Sequence, residues 1–364
     1  MWCSKAWAGA SVAITAVAVG AYGMAVSNAA TAAGGGAAWR ITDQVHSGAT
    51  GDFTAVAALG SNGGWAFNGI STPTAWERSG SSWKQVPFPT RGVTGPVIAA
   101  AALSPSDAWA FTQGTVTQSR VYHWNGSAWS MVHSFQRQIG GAVVLSADDV
   151  WVFGEPFIPG AYLGAWHYNG HTWTAVKTGG ELEGGSGLSA DDIWAFDGPD
   201  VAHWNGHAWS RTSLASLLPA RQALNDPELT GIYAQSSDSV YAIGNGNQQD
   251  EGGPTVVLHW NGHTWTKVAE GNYGLGTSPL QQIVSDGGGG FWLPMPGADS
   301  QRSYLVHFTN DTLTPAALPV ASSEITIDAV ALIPGTTSLL GGGYTHAASN
   351  PGNNVVSVLL QYGS

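Results

Sequence analysis

The chain has 364 residues, among them 50 glycines and 18 tryptophans, while Asp, Glu, Lys and Arg together make up only 10%. Globular domains carry about 25% charged residues, so this composition excludes a charge-laced helix bundle, and 43% hydrophobic residues exclude wholesale disorder. The formal charge is −12, and because the first 33 residues hold one lysine and no acid, the remainder sits near −13. A nucleic-acid partner, bound through basic stripes, is not expected.

Residues 1–33 open with Lys5, run apolar from Ala8 to Val26 and close on Ser27-Asn28-Ala29 and Ala30-Thr31-Ala32. A basic start, an apolar core and a small-x-small site are the parts of a signal peptide. Export and cleavage are therefore expected, leaving one domain over 34–364 with no membrane span; a retained anchor is the alternative. Cys3, the one cysteine, precedes the apolar core. The mature chain is thus expected to carry no disulfide and no thiolate metal site, and no metal or cofactor is expected.

Two motifs then alternate along the chain. The first is a Ser/Asp turn followed by an aromatic-centred apolar run: S-N-G-G-W-A-F ending at Phe67, S-P-S-D-A-W-A-F at Phe111, S-A-D-D-V-W-V-F at Phe153 and S-A-D-D-I-W-A-F at Phe196. S-S-D-S-V-Y-A-I ends at Ile243, S-D-G-G-G-G-F-W at Trp292, and a weaker P-G-T-T-S-L-L at Leu340. Centres at 65, 109, 151, 194, 241, 292 and near 340 are 42 to 51 residues apart, the size of a four-stranded propeller blade.

The second motif is H-W-N-G-x-x-W, ending at Trp129, Trp209 and Trp265, with H-Y-N-G-H-T-W ending at Trp173 and degenerate copies ending at Trp83 and Leu313. Asn-Gly between β-prone runs predicts hairpins with type I′ turns. In the second unit the four strands fall at 97–103, 108–111, 120–124 and 128–132. One short helix is expected over 213–224.

The ends complete the count. Leu359 to Tyr362 resembles the front of the second motif, and Gly36-Ala37-Ala38-Trp39 resembles its missing back half. The fold predicted is an all-β, seven-bladed β-propeller whose last blade takes its outer strand from the N-terminus, removing the unpaired edges.

Of the sixteen tryptophans after residue 33, fifteen fall on repeat positions and read as inter-blade wedges; Trp166 alone reads as off-template. His123, His167, His203, His259 and His307 hold one equivalent position, and sites spread around a ring do not converge on one ion. Asp107, Asp148, Asp149, Asp191 and Asp192 read as turn residues whose carboxylates bond nearby backbone.

No G-x-S-x-G, H-E-x-x-H, Walker or dinucleotide fingerprint occurs. The Ser/Asp and Asn-Gly turns share one face, so irregular loops on the other face are the expected functional surface. The longest insertions there make Arg221, Asp226, Asp250 and Glu251 the preferred ligand-binding candidates, joined by Arg137, Glu155, Trp166 and Arg302.

Together, S-A-D-D-V-W-x-x-G and H-W-N-G-x-x-W resemble a family of secreted bacterial, actinobacterial-type β-propeller repeat proteins, distantly similar to kelch and WD-repeat propellers, over residues 34–364. The resemblance implies extracellular binding and no settled activity. A non-catalytic, monomeric scaffold for an extracellular protein, peptide or glycan is the leading expectation. The alternatives are a carbohydrate-active hydrolase or lyase with carboxylates at the propeller mouth, and a structural envelope protein.

Overall fold

A computed structural model describes residues 38–45, 51–69, 71–90, 95–115, 118–154, 163–219, 228–245, 254–271, 282–295, 304–319, 325–346 and 355–363. Segment 1–33, where a signal peptide is expected, lies outside them. Largely apolar runs of two to nine residues form strands that pair into seven four-stranded antiparallel sheets. The first strand among the described residues is β1 (Trp39–Val45).

Blade one is β2 (Phe53–Leu59), β3 (Gly63–Asn68), β4 (Thr74–Ser79) and β5 (Ser82–Val86). Blade two is β6 (Val97–Ser104), β7 (Asp107–Thr115), β8 (Gln118–Trp124) and β9 (Trp129–Phe135). Blade three is β10 (Ile139–Ser146), β11 (Asp149–Gly154), β12 (Ala165–Tyr168) and β13 (Trp173–Val176), and blade four is β14 (Gly184–Ser189), β15 (Asp192–Asp197), β16 (Asp200–Trp204) and β17 (Trp209–Ser213). Blade five is β18 (Glu228–Ser236), β19 (Ser239–Asn245), β20 (Thr255–Trp260) and β21 (Trp265–Gly271), and blade six is β22 (Val284–Ser285), β23 (Phe291–Met295), β24 (Tyr304–Thr309) and β25 (Thr312–Pro315). Blade seven is β26 (Ile325–Leu332), β27 (Leu339–His346) and β28 (Val355–Tyr362), with β1 as its outer strand.

The closing pair is in register from Trp39 opposite Tyr362 to Val45 opposite Ser357, with a bulge between Ile41 and Asp43. Closure by the two ends of the chain is therefore as the sequence predicts. It covers the edge of β28 that would otherwise be open, which is how a propeller limits edge-to-edge association.

The Asn-Gly turns differ from the expected geometry. Trp124 pairs with Trp129, so four residues, not two, cross the hairpin. Asn125 keeps negative φ while Gly126 has φ 90°. The Asn125 side chain accepts from the amides of Ser127 and Ala128, each at 3.0 Å, as do Asn169, Asn205 and Asn261 in their own turns. The asparagine acts as an Asx cap. A two-residue turn with both φ positive occurs instead in the degenerate copy, at Asn310 and Asp311.

The expected helix over 213–224 is also corrected. Residues 214–219 form turns, anchored by the buried Leu214 and Leu218, and 220–224 lie outside the described residues. A leucine-bearing stretch has no partner face for a helix here; its leucines instead plug the base of blades four and five.

Aromatic residues fill the seams between blades. Trp65 on β3 meets Trp124 and Trp129 of the next blade at centroid distances of 4.8 and 4.9 Å. Trp151 meets Trp204 and Trp209 at 5.5 and 6.1 Å, and Trp194 meets Trp260 and Trp265, both at 6.0 Å. Trp292 meets Tyr362 at 5.1 Å and the N-terminal Trp39 at 6.0 Å. Edge-on pairs of this kind each add to the area they bury.

Candidate functional site

Blades two to six each set a polar pair beside the seam aromatic. His123 Nε2 lies 2.9 Å from Asp107 Oδ1, His167 lies 2.9 Å from Asp149, His203 3.0 Å from Asp192 and His307 2.8 Å from Asp286. In blade five Ser239 replaces the acid, 3.0 Å from His259. The imidazoles lie flat on the seam aromatics, at interplanar angles of 24° for Trp151, 20° for Trp194 and 8° for Trp292. The Asp149 and Asp192 carboxylates also accept from the indoles of Trp151 and Trp194, each at 3.0 Å.

Asp149 and Asp192, the first residues of β11 and β15, therefore bond a histidine on the neighbouring strand and a tryptophan on their own rather than turn backbone, and the preceding residue occupies the turn; Asp286 bonds its histidine and also accepts from the amides of Gly288 and Gly290. Burial pushes Asp192 up, but hydrogen bonds from His203, Ser237 and Trp194 outweigh it and hold the carboxyl below its usual range.

The seam between blades two and three departs from this template. Here Tyr168 stands where Trp124, Trp204 and Trp260 stand elsewhere, opposite the first residue of the outer strand. Its hydroxyl donates to the Gly170 carbonyl at 2.8 Å. Tyr362 holds the same position at the closing seam, but there Trp39 packs against Trp292. In blade three the corresponding Trp173 stacks on His133 of blade two, 5.5 Å away at 28°, and meets Phe135 edge-on at 5.3 Å. Trp109 is tilted 49° from His123, unlike its counterparts.

A cavity of about 780 Å³ results, opening between the Ser/Asp turns and the Asn-Gly turn of the two blades. Trp109, Tyr168 and Trp173 give it aromatic walls; Asp107, Asp148, His123 and His133 give it polar ones. Burial lowers the pKa of His133, favouring its neutral form. A bulge between Met131 and His133 on β9 turns Val132 and His133 toward the opening, a common use of bulges. Met131 and Val132 are the exposed large hydrophobic residues among those described, at 51% and 46%. A volume of this size with a few polar groups is that of a small-ligand pocket.

A second cluster lies at the start of the inner strands, on the opposite face, where blade seven meets blade one. Asp328 forms the bulge of β26 between Ile327 and Ala329, and its Oδ2 is enclosed without a hydrogen-bond partner among the described residues. Burial pushes Asp52 up to about 6. Burial, then the charge of Asp52, pushes Asp328 well above the usual carboxylate range, and burial raises the neighbouring Tyr344 as well.

Of the candidates named from sequence, Glu155, Arg221, Asp226, Asp250, Glu251 and Arg302 lie outside the described residues. Arg137 is exposed in the turn from β9 to β10, donating to the adjacent Gln136 carbonyl at 2.8 Å. Trp166 is not off-template: it faces Val152 on β12 as Tyr122 faces Ala110 and Trp76 faces Ala66. It meets Phe135 at 5.4 Å and donates to the Leu163 carbonyl at 3.0 Å. Arg137 and Trp166 are not brought together in one site. The cavity residues are those that sequence reasoning missed, and their signal is the departure of H-Y-N-G from H-W-N-G.

No family model matches the chain, and no curated protein matches it. Solved structures do. The chain of an entity described as YCF48 bound to D1 peptide superposes with a TM-score of 0.54 at 11% identity, covering 90% of this chain and 97% of that one. The WD40 repeats of RRP9 give 0.57 at 10% identity, covering 89% and 97%. A chain of the mitotic checkpoint complex gives 0.58 at 11% identity, covering 94% and 98%. At these identities the likeness establishes the propeller fold.

Proposed function

We propose that the chain is a non-catalytic binding scaffold, exported by residues 1–33, that recognises a protein or peptide segment. The observation that carries this reading is the aromatic cavity between blades two and three with the exposed Val132 on its lining. An apolar shoulder beside a pocket marks an interaction surface. The similarity to a propeller solved with a peptide, and to one within a checkpoint assembly, supports the same class of role.

The test is to probe peptide and glycan arrays with the protein and with Val132→Glu, which sets a charge on the shoulder. Peptide hits weakened at least tenfold by Val132→Glu are expected; hits untouched by it refute the cavity as the site. Alanine at Arg221, Asp226, Asp250 and Glu251 tests the opposite, irregular-loop face in the same assay. If those four changes abolish binding and Val132→Glu does not, the loop face is the site.

A second reading draws on Asp52 and Asp328. A carboxyl raised to about 6 beside another acid suits general acid chemistry, as a glycoside hydrolase needs. Polysaccharide turnover lost in Asp52→Asn would establish it; absence of turnover across a glycan panel would remove it.

A further inference from the structure

We infer that the cavity between blades two and three takes an arginine side chain of the partner segment, its guanidinium held against the aromatic walls and the Asp148 carboxylate. This rests on the binding reading above and goes further by naming the chemistry recognised.

Charge decides the class. No lysine or arginine lines the cavity, while two aspartates do. Asp107 is already bonded to His123, and burial favours the neutral form of His133. Asp148 differs from its counterparts in the other blades. Asp191 and Asp238 each accept from the serine two residues upstream, at 2.6 Å. In blade three Ser146 instead accepts from the Asp148 amide at 3.2 Å, and the Asp148 carboxylate accepts no hydrogen bond among the described residues. It lies against Gly170, where an added Cβ would sit 2.6 Å from Oδ1. The cavity thus presents two carboxylates, one of them without a hydrogen-bond donor among the described residues, and no lysine or arginine.

The walls decide the cation. Three aromatic faces attract a cation through their quadrupoles, and the planar, weakly hydrated guanidinium stacks on such faces where a compact ammonium does not. At about 780 Å³ the cavity exceeds one guanidinium, leaving room for the backbone on either side. Trp109, 4% exposed and on the lining, has an indole N–H without a partner among the described residues. Val132, exposed on the lining, then meets an apolar neighbour of the arginine.

Titration calorimetry with acetyl-Gly-Arg-Leu-Gly-amide tests the assignment. Its citrulline counterpart, neutral and of the same shape, is the control. Saturable binding of the arginine peptide is expected, at least tenfold weaker for citrulline and for Asp148→Asn. Tyr168→Trp, which restores the residue carried by Trp124, Trp204 and Trp260, should fill the cavity and abolish binding with an unreduced melting temperature. Equal binding of the arginine and citrulline peptides, or no binding of either at millimolar concentration, overturns the arginine assignment. If a neutral peptide or a sugar binds and Tyr168→Trp abolishes it, the arginine assignment falls while the cavity remains the site. If the arginine peptide binds Tyr168→Trp as it binds the wild type, both readings fall.

Discussion

Replacing Trp39 by alanine isolates the closing contact of the ring. Trp39 is the first residue of β1, is 4% exposed, and wedges between Trp292 of blade six and Tyr362 of its own blade. An indole buries about 150 to 250 Å², which at about 25 cal/mol per Å² is about 4 to 6 kcal/mol. Core Trp→Ala changes cost about 3 to 5 kcal/mol. At roughly 2.1 cal/mol/K per residue, a propeller of this length has an unfolding entropy near 0.7 kcal/mol/K, so the melting temperature should fall by about 4 to 7 °C. Differential scanning calorimetry measures it, with Gln44→Ala on the exposed side of β1 as a control expected within about 0.5 kcal/mol of wild type. A Trp39→Ala melt within 1 °C of wild type would refute closure by this strand, and so would an equal loss from Gln44→Ala.

Three further outcomes follow from the seams. Gln282 donates to the Val330 carbonyl at 2.8 Å and accepts from the Val330 amide at 2.7 Å, joining blades six and seven; Gln282→Leu strands both backbone groups and should cost about 2 to 4 kcal/mol in denaturant unfolding, whereas a cost under 0.5 kcal/mol would mean the bridge is replaceable. Ser237 donates to Asp192 across the seam of blades four and five at 2.5 Å, so Ser237→Ala should cost about 1 kcal/mol in denaturant unfolding at pH 7; a cost under about 0.3 kcal/mol would contradict the role of this bond.

For the carboxyls at the closing seam, the folded state holds more protons than the unfolded chain from about pH 4 upward. Asp52 alone, raised to about 6, should therefore make stability fall as pH rises from about 4 to 6, by up to about 3 kcal/mol. Asp328→Asn removes a second raised carboxyl, itself held up by burial and by the charge of Asp52, and should lessen the total fall in stability with pH in guanidinium titrations; an unchanged slope would mean that Asp328 is not raised. Comparing variant with wild type cancels Asp192 and Asp286, whose lowered values give the opposite slope below pH 4.

The blades were legible because they repeat. Seven copies of a turn with an apolar run, and seven outer-strand anchors beginning with Trp39, average away local exceptions, and the two half-motifs at the ends could be joined by inspection. The same averaging hid the site. The cavity exists because one copy differs from the others: a tyrosine for a tryptophan, a carboxylate without its serine, an indole turned aside to a histidine that only a bulged strand delivers. Spacing could not show that the motif acids bond histidines across strands, because that depends on which face of the pleat each residue takes. Asp328 was visible as a lone acid in I-T-I-D-A-V-A-L, yet its meeting with Asp52 requires the ring to close first.

The pairing of Trp39 with Tyr362 also sets an order of assembly. Every other blade is built from neighbouring hairpins and can form as soon as its residues are present. The last blade joins the earliest strand to the latest, a contact at nearly the greatest separation the chain permits, and such contacts form slowly. Until that moment β28 has a bare edge and the indole of Trp292 lacks its cover. A chain cut short before β28 leaves β1 without its partner strand and Trp292 without Tyr362, so the closing blade exists only in a chain that carries both of these strands.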